Sequence, residues 1–445
     1  MKILQVVHGF PPKSKAGTEI LTYNLSKELA KNHEVHVFYP SYSNRKTSKI
    51  VSFRREGVVH HELIKTSDLY TKVLKLLSFN PNYVSHGDEK IEKTFERILD
   101  EVNPDIVHFQ HLIGLSINLP LIAKEYSPIV LTLNDFWLVC PTTHFLDANR
   151  NICTHFSPEK CSKCVSKVLL DAGFKKLGWS QPNENILVKV LGEIYGLYGK
   201  NKIKKRVSSI KKIISASDTI IAPSRTILHK FIENGFIGNR ELKKLTLLHH
   251  GIDMSNLIKT KKASSNKIRF GFVGYMTERK GTHILIRAFN ELKNTNAELR
   301  LYGTINLNNS YHRFVINEIK KIKNHNQNIK IMGSFNDIRE PYSNIDVLVV
   351  PSITYEGFGL VVQEAFATRT PVIASDIGAL NEFVRHMENG LLFRVGDPHD
   401  LTKNMKMVLK DLSLIEKFRA NIKPPKSIEE YAREVEKVYQ ALIQK

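Results

Sequence analysis

The chain has 445 residues, more than one typical domain holds, and its 42% apolar content supports sizeable cores and excludes wholesale disorder. Lys and Arg number 65 against 44 Asp and Glu, a net charge of +21 that is open to nucleic acid, an anionic membrane surface, an anionic substrate or a plain solvated basic surface. No run approaches about 18 consecutive apolar residues, so a transmembrane helix is excluded, and no zinc finger or aromatic RNA-binding signature supports nucleic acid as a partner. The opening stretch is broken too soon, by Gly9, Pro11 and Pro12, to be a signal peptide, and the expected location is cytoplasmic.

In chain order, the pattern predicts a strand from Ile3 to Val7, a loop to Gly17, a helix from about Thr18 to Lys31 and a strand from Val35 to Phe38. This β-α-β opening is typical of doubly wound α/β folds. Gly17, just before the helix, is placed to bring a backbone N–H to a ligand, or is a plain turn glycine. Asp105 to His111 reads as another buried strand, which puts His111 at a carboxyl end, where ligands bind in open α/β sheets. Ile129 to Leu133 reads likewise and leads into Asn134 and Asp135. All four cysteines follow: Cys140, Cys153, Cys161 and Cys164. Cys161 and Cys164 form a C-x-x-C, a spacing that lets two thiolates grip one ion, but Cys140 and Cys153 are too far apart in sequence for a second tight pair. A structural zinc, an iron–sulfur centre, free thiols and disulfides are all open at this point.

Between Gly196 and Ser217 there are seven basic residues and no acidic one, with Ile203, Val207, Ile210 and Ile214 on one stripe. This is an amphipathic basic helix, suited to an anionic membrane or a lipid-phosphate acceptor, or else a domain helix with a solvated face. Thr219 to Ser224 reads as the last strand of a first domain spanning 1–250. Residues 251–267 read as a polar interdomain linker. A second β-α series starts at Ile268, runs through Gly274 and the basic loop Arg279-Lys280-Gly281, and continues with strands at Leu299 to Tyr302, Ile329 to Ile331 and Val347 to Val350. After the last of these come Pro351, a loop with Glu356, Gly357, Phe358 and Gly359, and a helix from Leu360 that carries Glu364. Glycines there admit a close backbone approach, and free N–H groups at a helix start favour an anion such as a diphosphate. Ionised glutamates on either side accept hydrogen bonds from hydroxyls. Beyond 425, Pro424-Pro425 and Ser427-x-x-Glu430 announce a final helix, with Ile428, Tyr431, Val435, Val438 and Leu442 as its apolar stripe.

The string EGFGLVVQEAFA, residues 356 to 367, resembles the donor-binding signature of the family-4 retaining glycosyltransferases (glycosyl transferases group 1). Residues 249 to 253 and the loop from Gly274 to Gly281 resemble two further motifs of that family. The resemblance implies a GT-B fold: two Rossmann-like doubly wound α/β domains, 1–250 on the acceptor side (with a Cys-rich insertion at about 140–165) and 268–425 for the nucleotide-sugar, facing across a cleft, with the helix 426–445 crossing back to the first. It implies transfer of a hexosyl group with retention from a UDP- or GDP-linked sugar to a hydroxyl of a glycan or lipid-linked saccharide, in cell-surface glycan synthesis, without a catalytic cofactor. By the same resemblance Glu364 would hold the ribose and Glu356 the sugar hydroxyls. Backbone N–H groups from Phe358 to Leu360, with Lys280, would hold the diphosphate. Three positions depart from the family: Ala16 precedes Gly17 where two glycines are usual, Asn134 stands where a His is usual, and Tyr275 stands where an Arg is usual. Asp135 is placed to take over a polar role beside Asn134, or no base is needed from that position, and Arg279 is placed to supply the guanidinium absent at Tyr275. A nucleotide-sugar epimerase or hydrolase, a non-catalytic binding subunit and a nucleic-acid binder are the other readings.

Overall fold

The structure is a computed structural model that describes residues 1–43, 49–66, 87–176, 186–292, 296–323 and 328–444. The chain forms two compact units, one of Met1–His250 together with Ile428–Lys445, the other of Gly251–Ser427.

The first unit is built on an eight-stranded sheet. Its strands are β1 (Lys2–Val6), β2 (Glu34–Ser43), β3 (Lys49–Arg55), β4 (Val58–Thr66), β5 (Ile106–Phe109), β6 (Ile129–Thr132), β7 (Thr219–Ala222) and β8 (Leu245–Leu247), in the order β3-β4-β2-β1-β5-β6-β7-β8. Neighbours are parallel except β3 and β4, an antiparallel hairpin at the edge. Its turn is Glu56-Gly57, both left-handed at φ 50° and 80°, the backbone that a two-residue hairpin turn demands. Three strands of this sheet are additions to the expected series. The mixed edge pair β3 and β4 escaped notice because β3 faces solvent and lacks an apolar run. Thr219–Ala222 is not the last strand, since β8 pairs beside it with a segment of only three residues.

The final helix, Ile428–Ile443, packs within this unit on the helix Gly17–Leu29. Ile428, Tyr431 and Val435 of the predicted stripe are buried with Ile3, Val37 and Ile106, and Tyr439 joins them. The basic helix spans Ile186–Ala216, and Ile203, Ile210 and Ile214 are buried in it as their spacing predicts. Lys204, Lys205, Lys211 and Lys212 are exposed. Arg206 is a correction to the all-solvated basic face: it is 1% exposed, donates to the Trp137 and Leu138 carbonyls, and lies over the Trp137 ring at 5.0 Å. Its two backbone partners replace part of the water it gives up, and its Nε is buried without a partner.

The second unit has six parallel strands, β9 (Ile268–Val273), β10 (Ala297–Tyr302), β11 (Ile329–Gly333), β12 (Val347–Val350), β13 (Val372–Ser375) and β14 (Gly390–Phe393), in the order β11-β10-β9-β12-β13-β14. In β12 the alternation places Val347 and Val349 in one core, with Phe270, Leu299 and Ile373, and Leu348 and Val350 in the other, with Val362 and Ala365 of the helix Leu360–Ala367. Both faces are covered, which is why the strand is apolar throughout. The stretch 251–267 packs in this unit: Ala263 N–H bonds the Ser343 carbonyl at 2.9 Å, and Lys262 Nζ bonds Tyr342 O, Ile345 O and Thr370 Oγ1 at 2.7 to 2.8 Å.

Candidate functional site

In the second unit the loops after β9 and β12 are tied together by backbone. Ile353 N–H donates to the Arg279 carbonyl at 2.9 Å, and Gly281 at φ 68° comes so close that a Cβ would stand 1.7 Å from the Pro351 carbonyl oxygen. Only glycine fits there, and the approach brings the basic loop to the acidic one. Lys280 Nζ meets Glu356 Oε1 at 2.7 Å, and Ser352, wholly buried, donates to the same oxygen at 2.6 Å. Burial alone would raise the Glu356 carboxyl, but the charges of Lys280 and Arg279, with the bonds from Lys280 and Ser352, outweigh it and hold the group below the ordinary carboxylate range. Arg279 thus lies in the same cluster, while Tyr275 is 57% exposed.

Glu364 has no such company. It sits in the helix Leu360–Ala367, where burial pushes its carboxyl up to about 7, opposed only by the hydrogen bond that Tyr342 donates to Oε2 at 2.7 Å. Gly359 opens that helix in the left-handed region, at φ 73°, and no side chain caps it. Phe358 turns its ring against Phe383, with centroids 5.2 Å apart, and is buried. Gly274, at φ 137°, follows β9 and donates its N–H to the Tyr302 carbonyl at 3.0 Å.

In the first unit a second group forms beyond the carboxyl ends of β1, β5 and β6. His111 Nε2 lies 3.2 Å from Asp135 Oδ2, and His111 Nδ1 accepts from Ile113 N–H at 3.1 Å. An Nδ1 that accepts leaves the proton on Nε2, so the ring donates to the carboxylate. Burial would raise the Asp135 carboxyl, but His111 and the Trp137 N–H bring it down to about 2. The His8 ring lies tilted against that of His111, at 51° with centroids 4.2 Å apart, and its Nε2 lies 3.3 Å from Glu19 Oε1. Burial, aided by the neighbouring His111, lowers the His8 ring to about 3. Asn134 donates to the Gln110 carbonyl and side-chain oxygens at 2.8 and 2.9 Å. Gly17 is exposed at the start of the helix that carries Glu19. Thus Asn134, Asp135 and His111 come together as the strand ends predict, whereas His8 and Glu19 were missed in the sequence. The signal for His8 was its position two residues beyond the end of β1.

The four cysteines are free thiols. Cys161 and Cys164 lie on the helix Pro158–Lys176, and burial pushes both up to about 12. Cys140 Sγ pairs with Thr142 Oγ1 at 3.2 Å, and Cys153 Sγ with the His155 carbonyl at 3.3 Å. Among the described residues no group of three or more His, Cys, Asp or Glu is placed to hold a metal ion. No helix among them is long and apolar enough to cross a membrane.

Comparison with known proteins accords with this geometry. Residues 16–158 match the model of Glycosyltransferase Family 4, and residues 267–411 match that of glycosyl transferases group 1. An uncharacterized glycosyltransferase of Methanocaldococcus jannaschii is 32% identical over 218 residues, 48% of this chain and 56% of that protein. The capsular polysaccharide biosynthesis glycosyltransferase CapM of Staphylococcus aureus is 29% identical over 219 residues, 45% of this chain and 55% of CapM. The matches therefore span little more than half of these relatives. Among solved structures, Anabaena HepE in complex with UDP-glucose has a TM-score of 0.64 at 16% identity, covering 99% of this chain and 100% of that one. Sucrose-phosphate synthase of Thermosynechococcus elongatus has 0.66 at 18% identity, covering 100% and 99%. The chain carries a Glycosyltransferase Family 4 domain in its first half and a glycosyl transferases group 1 domain in its second, on the GT-B fold.

Proposed function

We propose that this protein transfers a hexosyl group, with retention, from a UDP- or GDP-linked sugar to a hydroxyl of a glycan or lipid-linked saccharide in cell-surface polysaccharide synthesis. The observation that carries the reading is the cluster of Lys280, Arg279, Glu356 and Ser352 beside the uncapped helix start at Gly359, with Glu364 one turn into that helix. A departing nucleoside diphosphate gains negative charge as the glycosidic bond breaks, and cations together with N–H groups at Phe358 to Leu360 stabilise that charge where it develops. Lys280, now paired with Glu356, would turn to the diphosphate, and Glu356 and Glu364 would accept from sugar and ribose hydroxyls. Relatives named for capsular and lipopolysaccharide core synthesis support the acceptor class. The exposed Lys204, Lys205, Lys211 and Lys212 suit an anionic lipid surface on the inner face of the membrane.

The test is a panel of UDP-, GDP- and ADP-sugars, first by thermal shift and then with acceptor glycans. A ligand at about 100 times its dissociation constant adds about 2.7 kcal/mol. Transfer with retained anomeric configuration supports the proposal. Free sugar or an isomer as the product favours the hydrolase or epimerase reading, and binding without turnover favours a non-catalytic subunit.

A further inference from the structure

The final helix reaches the candidate site of the first unit through a chain of hydrogen bonds that runs in one direction. Asn134 Nδ2 lies 2.8 Å from a backbone carbonyl, that of Gln110, and this oxygen identifies the amide nitrogen beyond doubt. The other Asn134 N–H then donates to Gln110 Oε1 at 2.9 Å. Gln110 Nε2 donates to Gln5 Oε1 at 3.1 Å, and Gln5 Nε2 to the Tyr439 hydroxyl oxygen at 3.0 Å. Tyr439 O–H donates to His108 Nδ1 at 2.6 Å, and His108 Nε2–H to Thr132 Oγ1 at 2.7 Å. One backbone carbonyl thereby settles the amide orientations of Asn134, Gln110 and Gln5, and Gln110 Nε2 also lies 3.3 Å from His108 Nδ1 and 3.2 Å from His108 Nε2.

The members Gln5, His108, Gln110, Thr132 and Tyr439 are all buried. His108 is kept neutral by burial, which brings its ring to about 3, so Nδ1 stays an acceptor for Tyr439. At the far end both Asn134 N–H groups are used, and its Oδ1 is buried without a partner. Asn134 lines a cavity of about 20 Å³ with Gln110, His111, Asp135 and Trp137, room for one water-sized group. A buried carbonyl oxygen without a donor costs free energy that a ligand hydroxyl would return. Such chains also polarise one another, so a change at one end is felt at the other.

We propose that Tyr439 is a positioning residue, which through Gln5 and Gln110 locks Asn134 with its Oδ1 presented as the acceptor for a hydroxyl of the carbohydrate substrate. The proposal rests on the glycosyl-transfer reading for its substrate and on the hydrogen bonds alone for its mechanism. The chain leaves the second unit at Ser427 and re-enters the first at Ile428, where the final helix begins, so the residue that fixes Asn134 comes from the far end of the chain.

The test compares Tyr439→Phe, Asn134→Ala and the double variant in the full-length protein. Tyr439→Phe keeps the ring and removes the hydroxyl, and it should lower kcat/KM for transfer by roughly three- to tenfold, with UDP or GDP affinity unchanged. In the Asn134→Ala background the same change should cost nothing further, because there is no amide left to position. Equal losses in both backgrounds overturn the proposal, since a merely structural tyrosine acts regardless of Asn134. The Asn134 side-chain amide resonances give a readout independent of activity: they should shift in Tyr439→Phe, and unchanged resonances also overturn the proposal. If the wild type transfers no sugar but those resonances move, the positioning chain stands and the glycosyl-transfer reading fails.

Discussion

The two units build their candidate sites by opposite means. In the second, charge is concentrated: Lys280 and Arg279 face Glu356, and the cation and carboxylate loops are pressed together at Gly281. In the first, the carboxylates of Asp135 and Glu19 lie among imidazoles, and Asn134 is held by a buried network of neutral groups that runs through Tyr439 to His108 and Thr132. The contrast recurs within one motif. Glu356 and Glu364 stand eight residues apart, yet Glu356 is held below the ordinary carboxylate range while Glu364 is pushed up to about 7. Both are crowded by protein, so burial does not separate them. The difference is that Glu356 has cations beside it and Glu364 has only the phenol of Tyr342.

The largest expected effect comes from removing the cations. A hydrogen bond to a charged group is worth roughly 1.5–3 kcal/mol, so Lys280→Ala should lower kcat/KM by about 10- to 100-fold. Arg279→Ala should cost about as much if Arg279 replaces the arginine absent at Tyr275, and Lys280→Arg should rescue only in part, because a planar guanidinium does not reproduce a compact ammonium. Steady-state kinetics with saturating acceptor is the measurement. A silent Arg279→Ala beside a severe Lys280→Ala would leave the site with one working cation.

Next in size is the pH dependence of donor binding. On the proposed function ribose hydroxyls would donate to the ionised form of Glu364, so affinity should rise with pH through about 7 and fall about tenfold per unit below it. Titrating the donor nucleotide from pH 5.5 to 8.5 should show this, and Glu364→Gln should flatten the profile. Asp135→Asn is the control from the other unit. Its carboxyl titrates at about 2, so the substitution should leave the shape of the profile between pH 5.5 and 8.5 unchanged.

The smallest effect is on stability. A carboxyl whose folded pKa lies above its unfolded value contributes fully below the unfolded value, and the contribution is lost as pH rises through the folded one. For Glu364 that window runs from about 4.5 to about 7. Denaturant titrations across it should show a decline in stability that Glu364→Gln removes. An equal slope in the variant would mean that Glu364 is not the group responsible.

Local chemistry made much of this protein legible in its sequence. Apolar runs such as Val347 to Val350 marked strands covered on both faces, and the glycines and glutamates of 356 to 367 marked the loop and helix beyond one of them, because strand burial and glycine backbone freedom act over a few residues. Tertiary structure decided what depends on distant partners. It paired Lys280 with Glu356, 76 residues on, and Tyr439 with Gln5, 434 residues away. It took Arg206 out of a basic run and buried it against two carbonyls. It also set the two glutamates of one motif to different charge states. A pKa, a burial and a hydrogen-bond direction are properties of a surrounding assembled from several strands and helices, and no stretch of chain carries that surrounding by itself.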